Sequence, residues 1–336
     1  MLFKISGGVA LTVLFALGCG GGGNSPQTLV QSPQENIPVE NSSAIQQLVN
    51  PVNSETPYSN LFDDDRLLEV SGLQRSGSLN GVYYAHNDSG HDSSVFVTDA
   101  EAQVLGVVSL SDVQAVDWEA IAGVRIGGVP HIVVGDIGNN SEQRSDLSLL
   151  VFEEPDFSQL PVGFDIEVSS RRIDISYADG RSYDAEAFFI DGDNDTVVIL
   201  TKSERQTDSQ SMWRGSLTSG LTNTSLVLEF RGLVALTDIA GVNSTTDIDI
   251  HPNSRELALL TYGAIPFTGM VHIWSAGDSE GTADALTRAA DKTVAVMPIG
   301  LNFQAEAISY SPEGSHLLIG AESLAESIST LTVISP

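Results

Sequence analysis

A short acidic phrase returns along this chain, and each time it opens a block of strand-like segments. It reads Asp117-Trp118-Glu119-Ala120-Ile121, then Asp184-Ala185-Glu186-Ala187-Phe188, then Gln304-Ala305-Glu306-Ala307-Ile308. A weaker copy, Thr246-Asp247-Ile248-Asp249-Ile250, falls between the second and third. Carboxylates that recur at the start of each structural repeat return to one place in a cyclic fold, where they either hold a cation or repel one another.

Runs rich in Val, Ile, Tyr and Phe alternate with Gly, Asp, Asn and Ser, the pattern of strands and turns. They gather into five groups, beginning near Glu69, Trp118, Ala185, Thr246 and Ala305. Four strands per group with a similar opening is the organisation of a propeller blade. The expected fold is all-β, a single β-propeller of five four-stranded blades over 61–336. A six-bladed propeller and a β-sandwich are the alternatives. The last group holds three strands before Pro336, and Arg66-Leu67-Leu68 is the expected source of its missing outer strand. Closure matters because an open blade leaves unpaired strand edges.

Residues 1–18 carry Lys4 and an apolar run too short for a comfortable membrane span, which fits a signal peptide. The run ends at Ala16-Leu17-Gly18-Cys19. This resembles a bacterial lipobox, with Cys19 as the lipidated residue that holds the protein to the membrane. Gly20 in place of Asp resembles the sorting signal of an outer-membrane lipoprotein; an ordinary signal peptide is the alternative. Cys19 is the only cysteine, so no internal disulfide forms. Residues 19–60 contain five prolines and no Lys or Arg, and read as a disordered tether.

The formal net charge is −29, from 44 acidic and 15 basic residues. No basic cluster exists to follow a phosphate backbone, which argues against a nucleic-acid partner. Bound cations or a salt-rich medium would relieve the self-repulsion. The expected state is a monomer with a small-molecule or protein ligand.

In a propeller the start of each first strand shares a face with the end of each second strand. The polar second-strand ends therefore face the acidic phrases. From that face Glu119, Glu186 and Glu306 are the first candidate metal ligands, with Asp136 and Asn139 adding oxygens. Asn87, Asp88, Lys202, Tyr262 and Glu322 are the candidate ligand-facing residues. An all-oxygen donor set favours calcium over zinc. The structural alternative has these Glu residues accept backbone N–H groups between blades, and Lys202 serve only to neutralise Glu186 or Glu204. Thr246 aligns with Glu306, and Gly72 stands near the same place in the first group. Asp191-Gly192-Asp193-Asn194-Asp195 mimics the start of an EF-hand loop but lacks its later Gly and Glu, and reads as a hairpin turn. His86 with Asp88, or His131, offers a proton-transfer group, although no nucleophile elbow accompanies them.

The segments His86-Asn87-Asp88-Ser89-Gly90, Asp117 to Ile121, Gly135 to Asn140, Asp184 to Ala187, Thr201-Lys202 and Gln304 to Ile308 together resemble a family of bacterial secreted or lipid-anchored β-propellers of uncharacterised function. The resemblance spans nearly all of 61–336. It departs at Asn139, where the family has Asp, and at Leu260-Thr261-Tyr262, which lacks the family arginine. The family is distantly similar to calcium-bearing propeller hydrolases of the phytase and lactonase kinds. The resemblance implies an envelope lipoprotein whose acidic face binds calcium and a ligand. A metal-dependent hydrolase of esters or phosphoesters is the alternative.

Overall fold

β-branched and aromatic residues fill the strands, and turn-forming residues separate them, so the chain is all-β with one α-helix among the described residues. The computed structural model describes residues 56–202, 210–236, 244–264, 267–296, 303–323 and 328–336, together with Ile45, Val49 and Val52. All lie in one compact unit, Asn41–Pro336. Residues 1–18, Cys19 and most of 19–60 lie outside the described residues. No described helix is long and apolar enough to cross a membrane.

Strand β1 (Tyr58–Leu61) comes first. Next is an antiparallel set of β2 (Val70–Arg75), β3 (Val82–Asn87), β4 (Ser94–Asp99) and β5 (Val104–Leu110). Then follow β6 (Trp118–Ile126), β7 (Val129–Asp136), β8 (Ser148–Glu153), β9 (Phe164–Val168) and β10 (Arg171–Tyr177). Strand β9 leaves its neighbours and pairs in parallel with β5, while β10 pairs with β8. Strands β11 (Ala185–Asp191), β12 (Thr196–Thr201), β13 (Ser211–Ser216) and β14 (Ser225–Leu233) form the next antiparallel set, with α1 (Leu217–Asn223) before β14. A parallel β10–β14 pair joins this set to the previous one in an eight-stranded sheet. Its end strands β6 and β11 lie against each other, so the sheet curls back on itself.

The last sets are β15 (Ser244–Ile250) to β16 (Glu256–Ala264), β17 (Phe267–Ser275) and β18 (Lys292–Val296), then β19 (Phe303–Tyr310), β20 (Leu317–Ser323) and β21 (Ser329–Ile334). β1 completes the last sheet by pairing antiparallel with β21, Tyr58 opposite Val333 and Leu61 opposite Thr330. The closing strand is therefore Tyr58–Leu61 and not Arg66–Leu68, and it begins inside the segment read as tether. Ile45 and Val52 from that segment are buried too, in the apolar clusters on either side of the β2 to β5 set. Their apolar side chains gain more from burial than the ordering of those positions costs.

The first strand of each set packs on the first strands of two other sets. β2 lies beside β6 and β19, β6 beside β11, β11 beside β15, and β15 beside β19. Because both of their faces are covered, β2 and β11 are buried along nearly their whole length. Outer strands such as β10 alternate exposed and buried positions instead. The core divides into clusters that each join two sets, and the one containing Val70, Leu73, Ala307 and Leu331 joins the last set to the first.

Each first strand carries one irregularity at a matching place. The ladder skips between Val70 and Gly72, Trp118 and Ala120, Ala185 and Ala187, Thr245 and Asp247, and Ala305 and Ala307. The bulged residues are Ser71, Glu119, Glu186, Thr246 and Glu306. A bulge leaves one residue outside the ladder and re-aims its side chain.

Candidate functional site

Four of those five bulges and residues that end the second strands build one small cavity, which Thr246 does not line. Ser71, Glu119, Glu186 and Glu306 line it from the bulges; Asp88, Lys202, Tyr262 and Glu322 line it from the strand ends. Its volume is about 90 Å³, room for a few heavy atoms. Asp88, Lys202, Tyr262 and Glu322 hold equivalent places, each following the residue that pairs just before the bulge: Asn87, Thr201, Thr261 and Ala321. The corresponding residue after β7 is Ile137, which is buried in the core.

Glu119, Glu186 and Glu306 are only 5%, 5% and 9% exposed. Burial, followed by the charges of Glu186, Asp88 and Asp117, pushes Glu119 well above the ordinary carboxylate range. Burial also raises Glu306, with Glu186 and Glu322 adding to it. Burial lifts Glu186 to about 7 against the pull of Lys202. Lys202 donates a short hydrogen bond from Nζ to Glu186 Oε1. Burial opposes the ammonium charge, but Glu186, Asp184 and Glu119 outweigh it and raise Lys202. Burial and then Asp88 raise Asp117 to about 6, while burial, Asp88 and Glu69 raise Glu322 to about 7. Carboxyls packed this closely favour their neutral forms unless a cation joins them.

The three glutamates do not form one metal-ligand set. Among the described residues the group with ligand spacing is Asp88, Asp117 and Glu119, whose donor atoms lie within 4.8 Å of one another. Glu186 is engaged by Lys202, and Gln304 Nε2 donates to Glu306 Oε1. The set thus sits at one side of the ring, and Asp117, the first residue of the repeated phrase, takes the place expected for a more distant glutamate.

Asp136 and Asn139 are scaffold and not ligands. Asp136 is buried, accepts a hydrogen bond from Asp117 N at 3.1 Å and pairs with Arg144 at 2.7 Å. Asn139 Nδ2 donates to Ser182 Oγ at 2.8 Å, and its Oδ1 accepts from Gln143 N and Arg144 N, both at 2.9 Å. Arg144 also donates to the Gly138 carbonyl at 2.7 Å. Together they press Gly138 against the carboxylates: a Cβ there would stand 2.4 Å from Glu119 Oε1 and 2.6 Å from Asp117 Oδ2. Asn87 faces inward as well, accepting from Leu68 N and Glu69 N and donating to Arg66 O. It ties the segment before β2 to the end of β3 and does not face the cavity.

Carboxylates do accept backbone N–H groups between neighbouring first strands, but from the fourth set. Asp247 accepts from Ile308 N and Asp249 from Tyr310 N, each at 2.8 Å. Arg75 pairs with Asp249 and donates to Ile250 O at 2.8 Å, tying β2 to β15 at the end of these strands away from the cavity. Asp191–Asp195 is the β11–β12 hairpin turn; Asp195 caps α1 by accepting from Thr218 N at 2.7 Å. Glu204 lies outside the described residues. His86 is buried under Trp118 with Nδ1 against Asn87 O, and burial lowers it to about 4. His131 sits in β7, away from the cavity, with Nδ1 against Val129 O.

Sequence reasoning passed over Ser71, Asp117, Asn140 and Gln304. Ser71 Oγ donates to the Glu119 carbonyl at 3.1 Å and reaches Oε2 at 3.4 Å. The repeated phrase contains Asp117 and Gln304 in plain view, each two places before its glutamate. Ser71 adjoins Gly72, which had been aligned with the ring one residue late.

No protein-family model and no curated protein matches this chain. Among solved structures, the tail fiber of Staphylococcus aureus phage P68 is similar over 83% of this chain and 52% of that chain, at 11% identity and a TM-score of 0.49. The chain spans about half the length of that protein.

Proposed function

We propose that this chain is a five-bladed β-propeller whose central acidic pocket binds a hard divalent cation, calcium, and presents a ligand-binding face around it. The blades are β2–β5, β6–β8 with β10, β11–β14, β15–β18, and β19–β21 with β1. The cyclic packing of β2, β6, β11, β15 and β19 supports five blades over six. The cyclic series of apolar clusters supports a propeller over a sandwich. The observation that carries the cation is the Asp88, Asp117 and Glu119 set, three oxygen donors within 4.8 Å whose repulsion a divalent charge cancels. The lipobox-like segment supports a place in the bacterial envelope, with a lipid anchor on Cys19 at the outer membrane. Incorporation of labelled palmitate, lost in Cys19→Ala, tests the anchor; incorporation unchanged in that variant overturns it.

The test of the cation is metal content by plasma mass spectrometry on residues 41–336, with melts in calcium and in chelator. One calcium per chain and a melt that falls on chelation are expected, and both are lost in Glu119→Gln. A metal-free domain with no calcium response overturns the proposal. A hydrolase is the second reading. Glu186, lifted to about 7 beside the cation set, has the acidity of a general base near neutral pH. The remaining carboxylates favour neutral esters over phosphoesters as substrate. Calcium-dependent ester cleavage that Glu186→Gln abolishes supports it; no turnover across an ester panel leaves a binding protein.

A further inference from the structure

One cation is already built into the acidic cavity. Among the described residues that line it, Lys202 is the only base, against Asp88, Glu119, Glu186, Glu306 and Glu322. The corresponding strand-end residues of the other blades are Asp88, Ile137, Tyr262 and Glu322, so the third blade alone supplies an ammonium there. Its backbone is fixed, because Lys202 N donates to the Asp184 carbonyl at 2.9 Å. Nζ is held by Glu186 Oε1, with 31% of the lysine side chain exposed and 7% of the glutamate's.

Glu186 stands between two neighbours. One oxygen accepts from Lys202, and the carboxyl also lies close enough to Glu119 for the two to interact. Among the described residues Glu119 belongs to the set with metal-ligand spacing, and Glu186 does not. The lysine is therefore one carboxylate away from that set. Burial raises Asp88, Glu119 and Glu306, and the Lys202 charge opposes it at each of them, so its field spans the cavity. In a space of about 90 Å³, an ammonium and a divalent ion repel each other with little water between them.

We infer that Lys202 sets the ion affinity of this cavity: it holds Glu186 out of the coordination sphere and leaves Asp88, Asp117 and Glu119 as the carboxylate ligands. The inference rests on the cation reading proposed above. Calcium sites bind more tightly as charged ligands are added. A fourth carboxylate would tighten this one, and a neighbouring ammonium loosens it. The lysine thus keeps the ion exchangeable and limits the charge the cavity accepts. A lysine that only neutralised a buried glutamate would have no such effect, and its loss would cost stability alone.

The experiment is calorimetric titration of residues 41–336 with calcium chloride, beside the hydration number of bound terbium from its luminescence lifetimes in ordinary and heavy water. Lys202→Met should bind calcium about tenfold more tightly than the unaltered protein. Its terbium should carry about one water fewer, because Glu186 takes that place. Lys202→Arg keeps the charge and should stay within about threefold of the unaltered protein. Adding Glu186→Gln to Lys202→Met should cancel the gain and restore the water. Lys202→Gln, with the same gain expected, replaces the Met variant if that one lacks a cooperative melt. Calcium bound by the unaltered protein, with affinity unchanged or weakened in Lys202→Met, overturns the inference and leaves the cation site standing. A gain that survives Glu186→Gln overturns it as well. Calcium bound by Lys202→Met alone supports the inference and overturns the cation site of the unaltered protein. Binding by neither overturns both.

Discussion

Gly138 shows how a residue without a functional group can set the chemistry of its neighbours. Asp136, Asn139 and Arg144 hold its backbone against Asp117 and Glu119, and the space a Cβ needs is filled by carboxylate oxygens. Those oxygens are the ends of side chains that can rotate away, so Gly138→Ala should displace ligands without breaking the fold. Calcium affinity is expected to fall more than tenfold, about 1.4 kcal/mol or more, as measured by titration calorimetry. The melt in chelator should change by under about 1 kcal/mol. Unchanged affinity would mean that Asp117 and Glu119 do not hold the ion. Arg144 acts at the same scale. It compensates a buried Asp136 charge, so its removal leaves an unpaired carboxylate whose cost falls on folding and not on binding.

At the scale of elements, the strand that closes the ring is short and comes from the far end of the chain. Four residues of β1 cover the edge of β21, and Tyr58 donates from its hydroxyl to the Ala100 carbonyl at 3.2 Å. Removing everything before Asp63 would strip this strand, expose the edge of β21 and uncover the clusters that Ile45 and Val52 complete. The expected loss is about 3 kcal/mol or more, a fall in melting temperature of roughly 6–12 °C for a domain of this size. Concentration-dependent association through the open edge should accompany it. Starting the chain at residue 41 instead should restore the melt. A truncated protein as stable as the longer one would remove β1 from the account of closure.

For the whole molecule, the net charge of −29 and the buried acids together set the dependence on pH and salt. Burial in the folded state raises the pKa of Glu119, Glu186, Glu306, Asp117 and Glu322 and so makes them weaker acids. Between the unfolded carboxyl range near 4 and the folded values of about 6 for Asp117 and about 7 for Glu186 and Glu322, the native protein therefore binds more protons than the unfolded chain, and Glu119 and Glu306 act in the same direction. Stability must then fall as pH rises through that window. In chelator, the melting temperature at pH 5 should exceed that at pH 8. At the proposed cation site, saturating calcium should bind the ionised carboxylates and shrink or reverse the difference. General screening has a different signature: high sodium chloride raises the melt at every pH, while submillimolar calcium acts against that background. A melt indifferent to calcium at high salt would assign the acidity to solubility alone.

Much of this design was legible in the residues. The repeated phrases located Glu119, Glu186 and Glu306, and the polar strand ends located Asp88, Lys202, Tyr262 and Glu322. Strand register and bulges follow local sequence, so they repeat wherever the pattern repeats. The sequence by itself determined an all-β chain, the main strands, and the identity of most residues around one acidic cavity. It could not determine which acids approach within ligand distance, because that depends on ring curvature and on side-chain directions across the cavity. Asp136, Asn139 and Asn87 looked like ligands because they are polar and well placed. Only the tertiary structure gave each of them enough buried partners, some more than forty residues away, to make them scaffold. Tertiary structure also decided that Tyr58–Leu61 is a strand. A short polar stretch has no reason of its own to be extended, and it becomes a strand where β21 offers an unpaired edge and the first set offers an apolar surface beside it.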